Sequence, residues 1–149
     1  MLRVTVYQKQ DPAALLQWAS VATASSEWDP FEWNAGQATG APDANRWSSL
    51  APGTVEWLEL SYTTPVQPTV IRVVEIWSPG SIVKVDVKDV AGQFTTVYTA
   101  LVTTAASPRT LEIQVAGVMA KVVAVRITVD QSAHGDWDVI DAVQLIGHP

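Results

Sequence analysis

The sequence of 149 residues contains no cysteine. That removes disulfides, thiolate metal sites and cysteine nucleophiles together, so the fold must rest on its hydrophobic core. Charge is sparse as well. Asp, Glu, Lys and Arg make up 16% of the chain against 48% hydrophobic residues, a balance that excludes disorder. No apolar run approaches the ~20 residues of a membrane-spanning helix, so no membrane span is expected. Positive charge is the scarcer sign, with 9 Lys and Arg against 15 Asp and Glu, a net charge of −6. Such a chain gains no counterion release on a phosphate backbone and no attraction to anionic lipid, which argues against nucleic acid as a partner. There are two histidines, His134 and the near-terminal His148, and their separation is no two-histidine metal motif. Also missing are Gly-x-Ser-x-Gly, a phosphate loop, Gly-x-Gly-x-x-Gly and His-Glu-x-x-His. The opening MLRVTVYQKQ alternates and carries charge where a secretory leader has an apolar stretch, so compartment stays open.

What the chain does have is period-2 alternation from end to end. Leu2, Val4 and Val6 alternate with Arg3, Thr5 and Tyr7, predicting a strand over residues 2–8. Leu58, Leu60 and Tyr62 share a face in VEWLELSY. In IVKVDVKDV, Val83, Val85 and Val87 face a core, while Lys84, Asp86 and Lys88 face water. TVIRVVEIW, FTTVYTALV, RTLEIQV, VVAVRITVD and VIDAVQLIG supply the other strands, and Trp57 and Trp77 within these patterns read as core. Pro65 and Pro68 bracket a strand start, and Pro79-Gly80, Ala91-Gly92 and Ser107-Pro108 mark turns. About eight or nine strands at this spacing predict one all-β domain over residues 1–149, an antiparallel sandwich. Asp11-Pro12 reads as a helix N-cap followed by proline, predicting one helical turn in PAALLQ.

Residues 24–54 break the alternation. A stretch that long without regular structure inside a compact domain is usually functional. It carries Trp28, Phe31, Trp33 and Trp47 beside Asp29, Glu32, Asp43, Asn45 and Arg46. Flat rings with a few placed polar groups are what a sugar site needs.

Five segments in order, QWASVATASSEW, WNAGQATGAPD, EWLELSYTTPV, EIWSPGSIVKVDVKD and WDVIDAVQLIG, resemble a bacterial discoidin-like domain. Such domains are related to the coagulation-factor type C domains and galactose-binding modules. The resemblance covers about residues 18–147 and leaves the strand at 2–8 as an addition. It implies an eight-stranded jelly-roll sandwich of the galactose-binding type, a non-catalytic binding role and an extracellular or cell-surface setting. It further implies a ligand held by loops at one end and a structural calcium near them. Asp43 and Asn45, on a loop bent at Gly40 and Pro42, would meet Asp141 of the last strand around that ion. The plainer reading is that Asp43 caps a turn and Asp141 binds backbone. The Asp-Gly of many relatives is Asp43-Ala44 in this chain.

The expectations for individual residues are these. Phe31 and Trp28 stack on a glycan or glycoconjugate, Phe31 being the better candidate for an exposed ring because Trp28 and Trp33 stand at positions where the family packs aromatics under its loops. Glu32, Arg46, His134 and Asp136 supply hydrogen bonds. Phe31 as a lipid-inserting spike is disfavoured by its acidic neighbours. Glu75 reads as a buried acid tying down the Ser-Pro-Gly-Ser turn. The alternative for the whole chain is a structural or assembly protein, with a protein partner or copies of itself, using residues 2–8 as an added edge strand.

Overall fold

The computed structural model of the protein describes residues 13–149, so the strand expected at 2–8 lies outside the described residues. Eight strands follow in order: β1 (Leu15–Trp18), β2 (Val21–Ala24), β3 (Val55–Trp77), β4 (Ile82–Asp89), β5 (Phe94–Thr99), β6 (Arg109–Gln114), β7 (Val122–Asp130) and β8 (Val139–His148). All pair antiparallel, and a 3-10 turn over Ala35–Ala38 is the helical element among the described residues. No helix among them is long and apolar enough to cross a membrane.

The architecture turns on β3, which is 23 residues long and belongs to both layers. Its first half pairs with β2 on one side and β7 on the other, and β4 and β5 extend that sheet. Its second half runs between β8 and β6, with β1 beyond β8. The crossover falls where register breaks, between Ser61 and Val66 against β7 and between Pro68 and Val70 against β8. Pro65 and Pro68 therefore mark a corner inside one strand rather than the start of a new one. A proline withholds a ladder N–H, which is tolerable where a strand changes sheets. Gly147 sits against this corner, and a Cβ there would lie 2.2 Å from the Gln67 carbonyl oxygen.

Alternation fills the space between the sheets. Leu58, Leu60 and Tyr62 from the first half of β3 and Ile71 and Val73 from the second are buried, together with Val125, Ile127, Val143 and Leu145. Each fully buried Leu or Ile contributes roughly 1.5–3 kcal/mol. Tyr62 places its hydroxyl 3.0 Å from the Val143 carbonyl, and burial raises the phenol's pKa.

Three expectations need correction. PAALLQ is not helical where it is described: Leu15–Trp18 is an edge strand paired with Gln144–Gly147, because pairing with β8 outweighs a weak local cap. In β4 an irregularity between Ile82 and Lys84 puts Ile82 rather than Val83 into the core. Asp86 is buried rather than wet, accepting a 2.6 Å hydrogen bond from Thr96 with Lys84 Nζ at 3.4 Å.

Candidate functional site

One end of the sandwich is covered by the connection between β2 and β3, and its backbone is tied down throughout. Trp47 is fully buried. It exchanges backbone hydrogen bonds with Ile140 of β8, at 2.8 and 3.2 Å, and donates its indole N–H to the Ser26 carbonyl at 2.9 Å. Three of the acidic side chains of this connection, Glu27, Asp29 and Asp43, accept hydrogen bonds from its own amides. Asp29 accepts from the N–H of Phe31 and Glu32, Glu27 from that of Ala35, and Asp43 from both the backbone and side chain of Asn45. Carboxylates that receive chain N–H groups fix a loop as regular structure would.

On this frame four tryptophans converge from three separated segments. Trp28 and Trp33 come from the connection, Trp77 from the end of β3, and Trp137 from the turn before β8, enclosing a cleft of about 320 Å³. Trp28 and Trp33 meet edge to face at 5.7 Å. Trp77 donates its indole N–H to Asp136 at 3.3 Å, and Trp137 donates its own to the Ser49 carbonyl at 2.9 Å. Trp28 is 50% and Trp77 56% exposed, so two large rings stand open to solvent at a place otherwise built for rigidity. The polar groups at the lining are Ser48 and Arg46. The Arg46 guanidinium lies over Trp33 at 4.0 Å from the ring centre. Among the described residues it makes no salt bridge.

A buried acid cluster lies behind the cleft. Glu75 receives Arg109 through two hydrogen bonds, at 2.6 and 3.1 Å, and the Gly80 N–H at 3.4 Å. It thus ties down the Pro79-Gly80 turn, as expected. A side chain at Gly80 is blocked there, because its Cβ would lie 2.1 Å from the Thr103 carbonyl oxygen. Asp138 accepts from the Ser81 N–H at 3.0 Å through Oδ2, while no conventional donor faces its Oδ1. Burial and the charge of Glu75 push the Asp138 carboxyl up to about 9. At neutral pH it is therefore protonated, and that proton, donated to Glu75, satisfies the otherwise orphaned oxygen.

The residues expected at the site are distributed as follows. Trp28 and Arg46 line the tryptophan cleft; Phe31 and Glu32 do not, and sit instead on an adjoining cleft shared with Trp33 and Arg46. Phe31 is 83% exposed. Asp136 holds Trp77 and also receives the Trp137 N–H at 2.8 Å. His134 stands in the preceding turn, outside the lining of either cleft. Trp77 and Trp57, read as core, are not. Trp77 is exposed at the last residue of β3, where it still pairs with Val139 of β8 but β6 has ended opposite Glu75, and Trp57 is half-buried on the outer face beneath Arg126. Trp77's place beside Ser-Pro-Gly was the signal for a ring at a sandwich end.

Asp43 and Asp141 do meet, but through the backbone. The two Asp141 oxygens accept the N–H of Asp43 and of Ala44, each at 3.2 Å, while the Asp43 carboxylate turns to Asn45. Ala44 adopts the left-handed conformation, φ 67°, which glycine accepts more readily than alanine. A hard cation needs six to eight inward oxygens, and here amide hydrogens point at the carboxylate instead. No group of three acidic or histidine side chains suited to a metal forms among the described residues. As placed, Asp43, Asn45 and Asp141 do not fit a calcium ion.

With this geometry in view, the sequence pattern of the family described as "Pappalysin-1, SD scarf domain, C-terminal" matches residues 8–149. The chain belongs to that family. Against curated proteins the sequence finds no match. The scarf-domain fold is shared widely among solved structures. A variant of chitosan-binding module 1 from a Paenibacillus sp. IK-5 chitosanase/glucanase is 19% identical at a TM-score of 0.70, covering 85% of this chain and 93% of that one. The family 32 module of AlyQ, solved with 4,5-unsaturated mannuronic acid, is 16% identical at 0.67, covering 88% and 97%. The family 32 module of Clostridium perfringens NanJ, solved with galactose, is 14% identical at 0.62, covering 89% and 99%. These likenesses bear out the discoidin-like, galactose-binding-type sandwich.

Proposed function

We propose that this scarf domain is a non-catalytic recognition module that takes a glycan into the tryptophan cleft. The observation that carries the reading is the cleft itself: four indoles from three segments, two of them left exposed on a stapled frame. Indole faces suit the C–H faces of sugar rings, and Ser48 and Arg46 offer hydrogen bonds to hydroxyls. Support comes also from the modules of like fold, whose names record chitosan, mannuronic acid and galactose as their ligands. Hydrolysis of a glycosidic bond needs two carboxylates about 5–10 Å apart across the sugar. No described residue lining this cleft carries one, and Asp136 beside it is engaged by Trp77. Calcium is no part of the proposed binding step.

The test is a broad glycan array on the purified protein, repeated with Trp77→Ala. Trp77 is half-exposed, so its removal leaves the fold intact, which a thermal melt checks. Loss of a central aromatic anchor costs about 2 kcal/mol or more, roughly thirtyfold in affinity. A blank array, or a defined set of sugars bound equally by the variant, overturns the reading.

A further inference from the structure

The Arg46–Trp33 stack is shared by two clefts. On one side lies the tryptophan cleft; on the other lies a second hollow of about 310 Å³ bounded by Phe31, Glu32, Gln37 and Asn45. We infer that the site is bipartite and takes an acidic oligosaccharide, with one unit in the tryptophan cleft, a carboxylate at Arg46 on the ridge, and a further unit against Phe31. The inference rests on the glycan-recognition reading and extends it in length and charge.

Three observations carry it. The first is size: 320 Å³ suits about one sugar ring, and a second hollow of equal volume adjoins it across a single side-chain stack. Phe31 is 83% exposed and has no packing role, yet the Asp29 turn fixes its backbone with a 2.6 Å bond to its N–H. A ring held out on a stapled turn presents a face to a ligand. The second is hydrogen bonding. Gln37 and Asn45 place amides in the second hollow, and Glu32 adds a carboxylate for which no internal partner is found among the described residues.

The third is a guanidinium without a carboxylate partner. At this end of the molecule Asp29, Glu27, Asp43, Asp136 and Asp141 all receive internal N–H groups. No carboxylate of these pairs with the cation. Arg46 faces both hollows with only a 3.4 Å contact to the Ala44 carbonyl, whereas Arg72, Arg109 and Arg126 are each paired with a glutamate. Stacking on Trp33 keeps the guanidinium flat and leaves its edge free for a carboxylate in two parallel hydrogen bonds.

Calorimetric titration with galacturonic acid oligomers of one to six units, and with galactose oligomers of the same lengths, tests this. Affinity is expected to rise at least tenfold from monomer to tetramer in the acidic series and to exceed that of the neutral series. Phe31→Ala should abolish the gain with length while leaving the monomer's affinity unchanged. Arg46→Gln should bring the acidic series down to the neutral one. Binding independent of length, equal binding of the two series, or a Phe31→Ala loss as large for the monomer as for the tetramer overturns the inference. If neither series binds while the array reports another glycan, the acidic class is wrong and the recognition reading stands. If the array is blank too, the recognition reading has failed first.

Discussion

Arg126 and Arg46 each lie over a tryptophan ring, 4.2 Å from the centre of Trp57 and 4.0 Å from that of Trp33. On the outer face of the β3–β7–β4–β5 sheet, Arg126 is also covered by Phe94 at 4.7 Å and bonded to Glu59 at 3.0 Å, which Lys88 reaches as well. The Arg126 Nε is met by a carboxylate on the adjacent strand β3, and rings of β3 and β5 cover the guanidinium. At the sandwich end Arg46 has the ring and little else. The same stack is thus closed in one region and open in the other. A stack whose charge is neutralised internally adds stability, whereas one whose charge is left over is available to a ligand.

The comparison has an extreme in Arg109, bonded twice to a fully buried glutamate. Arg109→Ala strands Glu75 in a low-dielectric site, and removing one partner of a buried pair costs about 3–5 kcal/mol. Urea denaturation should show that loss directly. A cost below about 1 kcal/mol would mean that Glu75 finds another partner or water, and the scale from paired to unpaired arginines would lose its upper end.

The buried acids behind the cleft give the next effect, and its sign is definite. The Asp138 carboxyl titrates near 9 when folded and near 4 when unfolded, so the folded state binds the extra proton between those values. The stabilisation is fully present below about pH 4 and is lost as pH rises toward 9, by about 2–3 kcal/mol between pH 6 and pH 8. Asp138→Asn keeps an acceptor for the Ser81 N–H and a donor for Glu75, and carries no proton to lose. The variant should show a melting temperature nearly flat over that range and exceed the wild type at pH 8. A wild-type melt that does not fall between pH 6 and pH 8 would contradict the protonated assignment.

Arg126 and Arg46 themselves come next, as opposite outcomes of one substitution. Arg126→Ala should destabilise by about 1–2 kcal/mol through lost stacking and the charge-assisted bond, discounted because the arginine is a third exposed, and should leave glycan affinity alone. Arg46→Ala should change stability by less than about 0.5 kcal/mol and weaken binding about tenfold. Equal effects on both properties for both variants would dissolve the distinction.

Much of this fold was legible from alternation, and its errors have local causes. Leu58, Leu60 and Tyr62 were placed correctly because a central strand has one dry face. The two strands read around Pro65 and Pro68 are one, since proline at a sheet corner looks the same in sequence as proline at a strand start. Leu15–Trp18 and Val21–Ala24 are too short to show a period and owe their form to partners about 130 and 40 residues away, distances that no local signal spans. The site was legible as a region, with Trp28 and Arg46 inside it. Trp77 and Trp137 were not read as its walls, because what opens them is where β3 and β8 end relative to the sheet, a property of pairing rather than of either segment.

The loop over Asp141 yields the smallest effect and decides what holds the open stack in place. Arg46 follows directly on Asp43, Ala44 and Asn45, and the first two are hung from Asp141 by their amides. If those hydrogen bonds are the fastening, one millimolar calcium should move the melting temperature by less than about 1 °C relative to chelator. A site occupied at that concentration would add about 1 kcal/mol, or roughly 2–4 °C in a chain of this size. Asp141→Asn should cost about 1–2 kcal/mol with or without the ion, since an amide turns a donor toward N–H groups that need an acceptor. A calcium-dependent stabilisation that Asp141→Asn removes would instead put the cation back at the centre of the loop. The Asp43 and Ala44 amides would then have to turn away from Asp141 when the ion binds.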